Sequence, residues 1–233
     1  WHTQQVLIMG RLPLALVYLL LPWALAGFQL SICQPQVRWR WVLAGGCALG
    51  GVTLTHPGYG LWSCAFCCLY ILLHLRRNNV VHHGLPGLVL LGSGFTISMA
   101  LLLPMWLDQH ATGLATTFTL AGVPDPTWWS LVNWSNFRFF LFPPEAAQYN
   151  WYGGYLGISL LTLALSGLAT PVRLRRNALP ACLCLAAALL LALAYSSWLI
   201  QALPGVFLLA GGRYLLFAVL FLAIAVGHGV HAL

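Results

Sequence analysis

Apolar residues arrive along this chain in long runs, broken at intervals by Arg, Pro and Gly. Seven runs stand out: Leu12–Ser31, Trp41–Thr55, Tyr59–Leu75, Leu85–Leu107, Trp151–Ala169, Ala181–Ile200 and Tyr214–Leu233. Most approach the roughly 20 residues with which a helix crosses about 30 Å of hydrocarbon. Lipid offers a bare backbone N–H no partner, so such a run in a bilayer must be helical. Ten-residue segments of alternating polarity, the mark of a membrane β-barrel, do not occur. The pattern predicts an all-α, polytopic transmembrane helical bundle of about seven spans, forming a single domain over residues 1–233.

The second and third runs could be read as one. A helix from Trp41 to Leu75 would be roughly 50 Å long at about 1.5 Å per residue, too long for a bilayer. The segment Thr55-His56-Pro57-Gly58-Tyr59-Gly60 supplies a break, because Pro removes a donor and Gly permits a tight turn. A hairpin is expected there.

Charge then orients the spans. Arg38 and Arg40 lie in Cys33–Arg40, Arg76 and Arg77 in Arg76–Gly84, and Arg173, Arg175 and Arg176 in Thr170–Pro180. These are alternate connections, so a seven-span chain places all three on one side. The other side receives Arg11, Arg138 and Arg213 with the three acids Asp108, Asp125 and Glu145. An excess of Arg marks the cytoplasmic side. The chain is therefore expected to start outside and to reach Leu233 inside.

Residues 108–150 interrupt the rhythm of short connections, and a stretch this long between spans is usually functional or disordered. Trp128, Trp129, Trp134, Phe137, Phe139, Phe140, Phe142, Tyr149 and Trp151 crowd its second half, which argues against disorder. Two readings fit: an interfacial aromatic belt, or an interfacial helix roofing a cavity with rings that stack on sugar faces. Asn133-Trp134-Ser135 is an N-glycosylation acceptor on that outer side.

Composition closes off other classes. Of the 233 residues 61% are hydrophobic and 6% charged, too few charges to wet a globule of 25.5 kDa. The net charge of +7 comes entirely from scattered Arg, not from the clustered basic face that nucleic acid requires. Cys64, Cys67 and Cys68 form a C-x-x-C-C run inside an apolar stretch, where cysteine acts as a small apolar residue. His74, His228 and His231 stand near the inner ends of spans without a matched set at one depth, so no haem is expected. No metal or other cofactor is expected either. Gly46 and Gly50, and again Gly153 and Gly157, form G-x-x-x-G steps that let helices pack closely.

Several residues could carry chemistry on the outer side. His56 sits in the hairpin, as a turn residue or as a ligand for an anion or a hydroxyl. Arg213 follows Gly211-Gly212 at the mouth of the last span, either anchoring it among headgroups or gripping a phosphate with its planar fork. Asp108 and His110 end the fourth span, as a solvated helix end or as a pair that deprotonates a hydroxyl. Glu145, after Pro143-Pro144, favours a helix start through the dipole.

Tyr152-Gly153-Gly154-Tyr155-Leu156-Gly157-Ile158, a basic inner connection, a span, Leu203-Pro204 and then Gly212-Arg213-Tyr214 follow in an order that resembles YfhO-like bacterial membrane proteins. It is also similar to membrane proteins labelled 6-pyruvoyl-tetrahydropterin synthase-related. Both look like the GT-C class of glycosyltransferases, and Leu54-Thr55-His56-Pro57 is similar to a helix-breaking step of that class. The resemblance covers about residues 50–233 through short, degenerate motifs. It implies a GT-C-like bundle in a cell membrane, bacterial inner membrane by expectation, acting on its external face in envelope glycan assembly. It implies a polyprenyl-phosphate sugar donor and membrane lipid as partners; on that reading Asp108 and His110 are expected to be catalytic and His56, Arg213, Arg138, Glu145, Trp128 and Trp129 to bind substrate. It also implies a catalytic acid in the first external loop, which no residue ahead of Leu12 matches; the chain, opening on Trp1, is expected to be an excerpt of a longer protein. The alternatives are a lipid or solute transporter or flippase, and a structural subunit of an envelope complex. Charge within the spans is almost absent, which counts against ion-coupled transport.

Overall fold

A computed structural model of the chain describes residues 12–32, 36–75, 80–112, 158–168, 172–193 and 214–232. All regular structure among the described residues is helical. The helices are α1 (Leu12–Ile32), α2 (Trp39–Thr55), α3 (Pro57–His74), α4 (Val80–Thr112), α5 (Ile158–Ser166), α6 (Val172–Leu193) and α7 (Leu215–Ala232). Each overlaps one of the seven apolar runs. They belong to two compact units, Trp1–Leu120 with α1 to α4 and Ala121–Leu233 with α5 to α7.

In the first unit α2 is the shared partner, and its glycines explain why. A Cβ on Gly27 of α1 would lie 2.6 Å from the Trp41 carbonyl oxygen and 2.7 Å from the Gly45 Cα, so α1 and α2 touch backbone to backbone. On another side of α2, a Cβ on Gly46 would run into Ser93 and one on Gly50 would come 2.6 Å from the Ile97 Cβ. The expected G-x-x-x-G step is thus a contact face for α4. Around these approaches pack Val17, Leu21, Leu25 and Phe28 of α1, Val42, Leu49 and Val52 of α2, and Phe66, Tyr70 and Ile71 of α3, all buried. The α1 positions recur at the helical spacing of an inward stripe.

Register gives direction. Gly27 lies against Trp41 and Gly45 while Gly51 lies against Leu20, so α1 and α2 are antiparallel. Gly60 meets Thr53, and Gly87 meets Ile71 while Gly84 approaches Leu75, so α3 runs opposite to both α2 and α4. Gly46 faces Leu90 and Ser93 while Gly50 faces Gly94 and Ile97, so α2 and α4 are parallel. The four helices alternate in direction. One end of the unit therefore gathers the end of α1, Arg38 and Arg40 before and in α2, the end of α3 and the start of α4. The other end gathers His56 and the end of α4.

Outward positions are apolar. Val81 is 78% exposed and Leu88 69%, and Leu19, Trp23, Leu72 and Phe95 are also exposed. In water this surface would carry a cost of about 25 cal/mol per Å², which lipid removes. Among the described residues three helices, over Ala15–Ile32, Pro57–His74 and Val80–Ala100, are long and apolar enough to cross a membrane. Helix α4 as a whole is 33 residues, about 50 Å, so it outruns the hydrocarbon.

In the second unit α7 packs on α5 and α6. Helix α6 buries the small residues Ala178, Ala181, Cys184 and Ala188, and α7 buries the large rings of Phe217 and Phe221, faces of complementary size. A Cβ on Gly167 would lie 3.3 Å from both the Ala178 Cβ and the Gly229 nitrogen, and one on Gly229 would strike the Leu163 carbonyl oxygen. The far end of α7 therefore shares an end of this unit with the α5–α6 connection.

Three boundaries differ from the sequence reading. The break between α2 and α3 is His56 alone, because Pro57 occupies the first helical position, where its missing N–H costs nothing. Gly58 and Gly60 then belong to the first turn of α3, and Gly60 is what lets that turn lie against Thr53. Helix α6 begins at Val172, so Arg173, Arg175 and Arg176 stand within a helix and not in a connecting loop. Arg is a good helix former, and Pro180 is accommodated inside the helix. Helix α4 extends five residues beyond the expected run at each end, with Pro86 and Pro104 inside it.

Candidate functional site

His56 is the one proposed site residue whose side chain is described, and the backbone explains its conformation. It ends α2 by donating its N–H to the Val52 carbonyl at 3.0 Å, and its own carbonyl accepts from the Gly60 N–H at 2.9 Å. Its Nδ1 accepts the Tyr59 N–H at 3.3 Å, so the imidazole caps α3 and satisfies one of the bare donors of the first turn. The ring also meets Tyr59 edge-on, centroids 4.8 Å apart. A neutral His56 that accepts at Nδ1 carries its proton on Nε2. Of the two readings of His56, turn residue or ligand, the observed bond from the Tyr59 N–H to the ring is that of a turn residue.

Asp108 and His110 lie in the last turns of α4. Positions two apart are not neighbours on a helix surface, so α4 gives this pair no shared face. Their end of the unit is that of His56. Gly50 stands level with Gly94 and Ile97 on the parallel α4, which sets Thr55 near residue 101 and Asp108 about 10 Å further along. Arg213, Arg138, Glu145, Trp128 and Trp129 lie outside the described residues, as do Gly153 and Gly157. Among the described residues no three His, Cys, Asp or Glu side chains come together in a way that could hold a metal ion.

At the opposite end of the first unit is a polar cluster that the sequence reading passed over. Gln29 of α1 donates from Nε2 to the Tyr70 hydroxyl at 2.6 Å, and the same nitrogen lies 3.1 Å from His74 Nε2. His74 Nδ1 is 2.8 Å from the Tyr70 main-chain oxygen. The Tyr70 and His74 rings lie 4.5 Å apart, and Phe28 packs edge-on against both. His83 of α4 reaches the His74 carbonyl, Nδ1 to oxygen 3.3 Å. Tyr70 is wholly buried and His74 nearly so. The signal available in sequence was an amide inside the first apolar run and a Tyr–His pair four apart on α3, one helical face.

Helix-only structure, an apolar exterior and helices suited to crossing a bilayer define the class: a helical membrane protein. Within that class, no known protein family, curated protein or solved structure matches the chain.

Proposed function

We propose that the chain is the membrane portion of a GT-C-like glycosyltransferase, using a polyprenyl-phosphate-linked sugar on the external face of a bacterial inner membrane. The observation that supports this most is the alternation of α1 to α4, which brings His56 to the same end of the first unit as Asp108 and His110. On this reading the bundle has seven spans, residues 108–150 lie outside, and the site forms there. Asp108 or His110 takes the proton of the acceptor hydroxyl as its oxygen attacks the anomeric carbon. The bond from that carbon to the phosphate oxygen breaks, and the polyprenyl phosphate leaves carrying the electron pair. Arg213 and Arg138 offset the charge on the departing phosphate, Trp128 and Trp129 offer ring faces to the sugar, and Glu145 and His56 hold hydroxyls.

A transporter is the rival. Among the described residues the buried positions include no Asp, Glu or Arg and one His, His74. A proton or ion path calls for a line of such groups.

Arg213 gives the test. Arg213→Lys keeps the charge but loses the planar two-pronged contact, worth roughly 1.5–3 kcal/mol, about 10- to 150-fold in affinity. In nanodiscs the variant should bind polyprenyl phosphate more weakly than the wild type by that factor. Equal affinity would make Arg213 a headgroup anchor and remove the phosphate from the site.

A further inference from the structure

We propose that Gln29, Tyr70 and His74 form a proton-operated latch between α1 and α3, in which protonation of His74 turns the Gln29 amide over. The present hydrogen bonds fix one state. His74 Nδ1 lies against a main-chain carbonyl, which only accepts, so Nδ1 carries a proton. A neutral ring then has a lone pair on Nε2, and the Gln29 NH₂ group opposite it has two donors, one for Nε2 and one for the Tyr70 hydroxyl. Every contact of the amide nitrogen is satisfied in that state.

A second proton on the ring must go to Nε2, where it would meet a donor. The amide holds the remedy in its other atom. Rotated by half a turn, Gln29 presents Oε1, which accepts from the His74 Nε2–H and from the Tyr70 O–H, and the phenol changes from acceptor to donor. Gln29 is half-buried. Both partners reverse together because one amide serves both.

Residues 1–107 contain no acid. Among the described residues the charged and titratable groups at this end are Tyr70 and Cys67 on α3, His82 and His83 at the start of α4, and the exposed Arg38 and Arg40 before and in α2; Arg76 and Arg77 follow His74 in sequence. His83 Nδ1 meets the His74 carbonyl. Tyr18 is the titratable group of α1 and stands eleven residues before Gln29.

The experiment is nitrogen NMR of the protein in nanodiscs with ¹⁵N-labelled His and Gln side chains, followed as pH is lowered. Neutral His74 should show a protonated Nδ1 and a bare Nε2. As Nε2 gains its proton, the Gln29 amide resonances should shift with the same midpoint. A neutral ring protonated at Nε2, or a Gln29 amide that stays put while His74 titrates, would overturn the latch. In Gln29→Leu the neutral ring should keep its Nδ1 proton, because the Tyr70 carbonyl sets it. Movement of that proton to Nε2 would show that the carbonyl does not orient the ring. The wild-type titration decides the proposal even where the variant fails to fold.

Discussion

Gly46 and Gly92 share a residue type and differ in everything around them. A Cβ on Gly46 would run into Ser93 and come 2.9 Å from the Leu90 carbonyl oxygen, whereas one on Gly92 would meet nothing within 4 Å. Overpacking a close helix contact costs about 1–3 kcal/mol. Replacing an exposed helical Gly by Ala relieves about 1 kcal/mol of backbone entropy. Gly46→Ala should therefore lower the thermal unfolding midpoint in detergent micelles and Gly92→Ala should hold or raise it; the reverse order would refute the α2–α4 contact. His56 offers a second contrast. Asn caps helices well, so His56→Asn should keep stability while His56→Ala loses about 1 kcal/mol. Equal loss in the two would show that the cap contributes nothing. At this scale the Gly46–Gly50 step was legible, since small residues four apart in an apolar run have few other uses. The cap and the latch were not. Tyr70 and His74 lie 41 and 45 residues from Gln29, and only the register of α1 on α3 brings them together.

Among the elements, α4 is long enough to carry exposed apolar residues both within and beyond its apolar stretch. Its apolar stretch is Val80–Ala100, and Leu88 near the middle faces outward. Leu107 is exposed as well, 54%, but lies past that stretch. An Arg at the middle of a membrane helix costs about 2.5–3.5 kcal/mol on the insertion scale, and much less beyond the hydrocarbon. Leu88→Arg should sharply reduce the membrane-integrated fraction on expression, and Leu107→Arg should leave it near the wild-type level. Were the outer surface wetted, Leu88→Arg would be harmless, and that result would contradict a lipid-facing α4. Among the described residues, hydropathy located each helix through the apolar run that it overlaps. It misplaced their ends where Pro or Arg was treated as a stop. Pro57 opens a helix, Pro86 and Pro104 lie within one, and Arg173 belongs to the first turn of α6. The neighbours and caps that decide such cases are not local in sequence.

For the whole molecule, the sequence-level expectation of alternating connections rests on Arg placement, and within the first unit the helix register supplies an independent argument for it. Arg38 and Arg40 share an end with the turn after α3, while His56 shares the other with Asp108. In the second unit the end of α7 lies beside the α5–α6 connection, next to Arg173, Arg175 and Arg176 in sequence. The site was less legible than the fold: of its eight expected residues His56 alone has a described side chain, and its observed role is to cap a helix. The central claim is an alternating membrane bundle with its Arg-rich connections in the cytoplasm and residues 108–150 outside. It is tested most directly by single cysteines at Arg77, Arg175 and Asp125, in a background without native Cys, probed on intact cells with a membrane-impermeant thiol reagent. The account predicts labelling at position 125 and protection at 77 and 175 until the cells are opened. Labelling of position 77 or 175 from outside, or protection of 125, would contradict it.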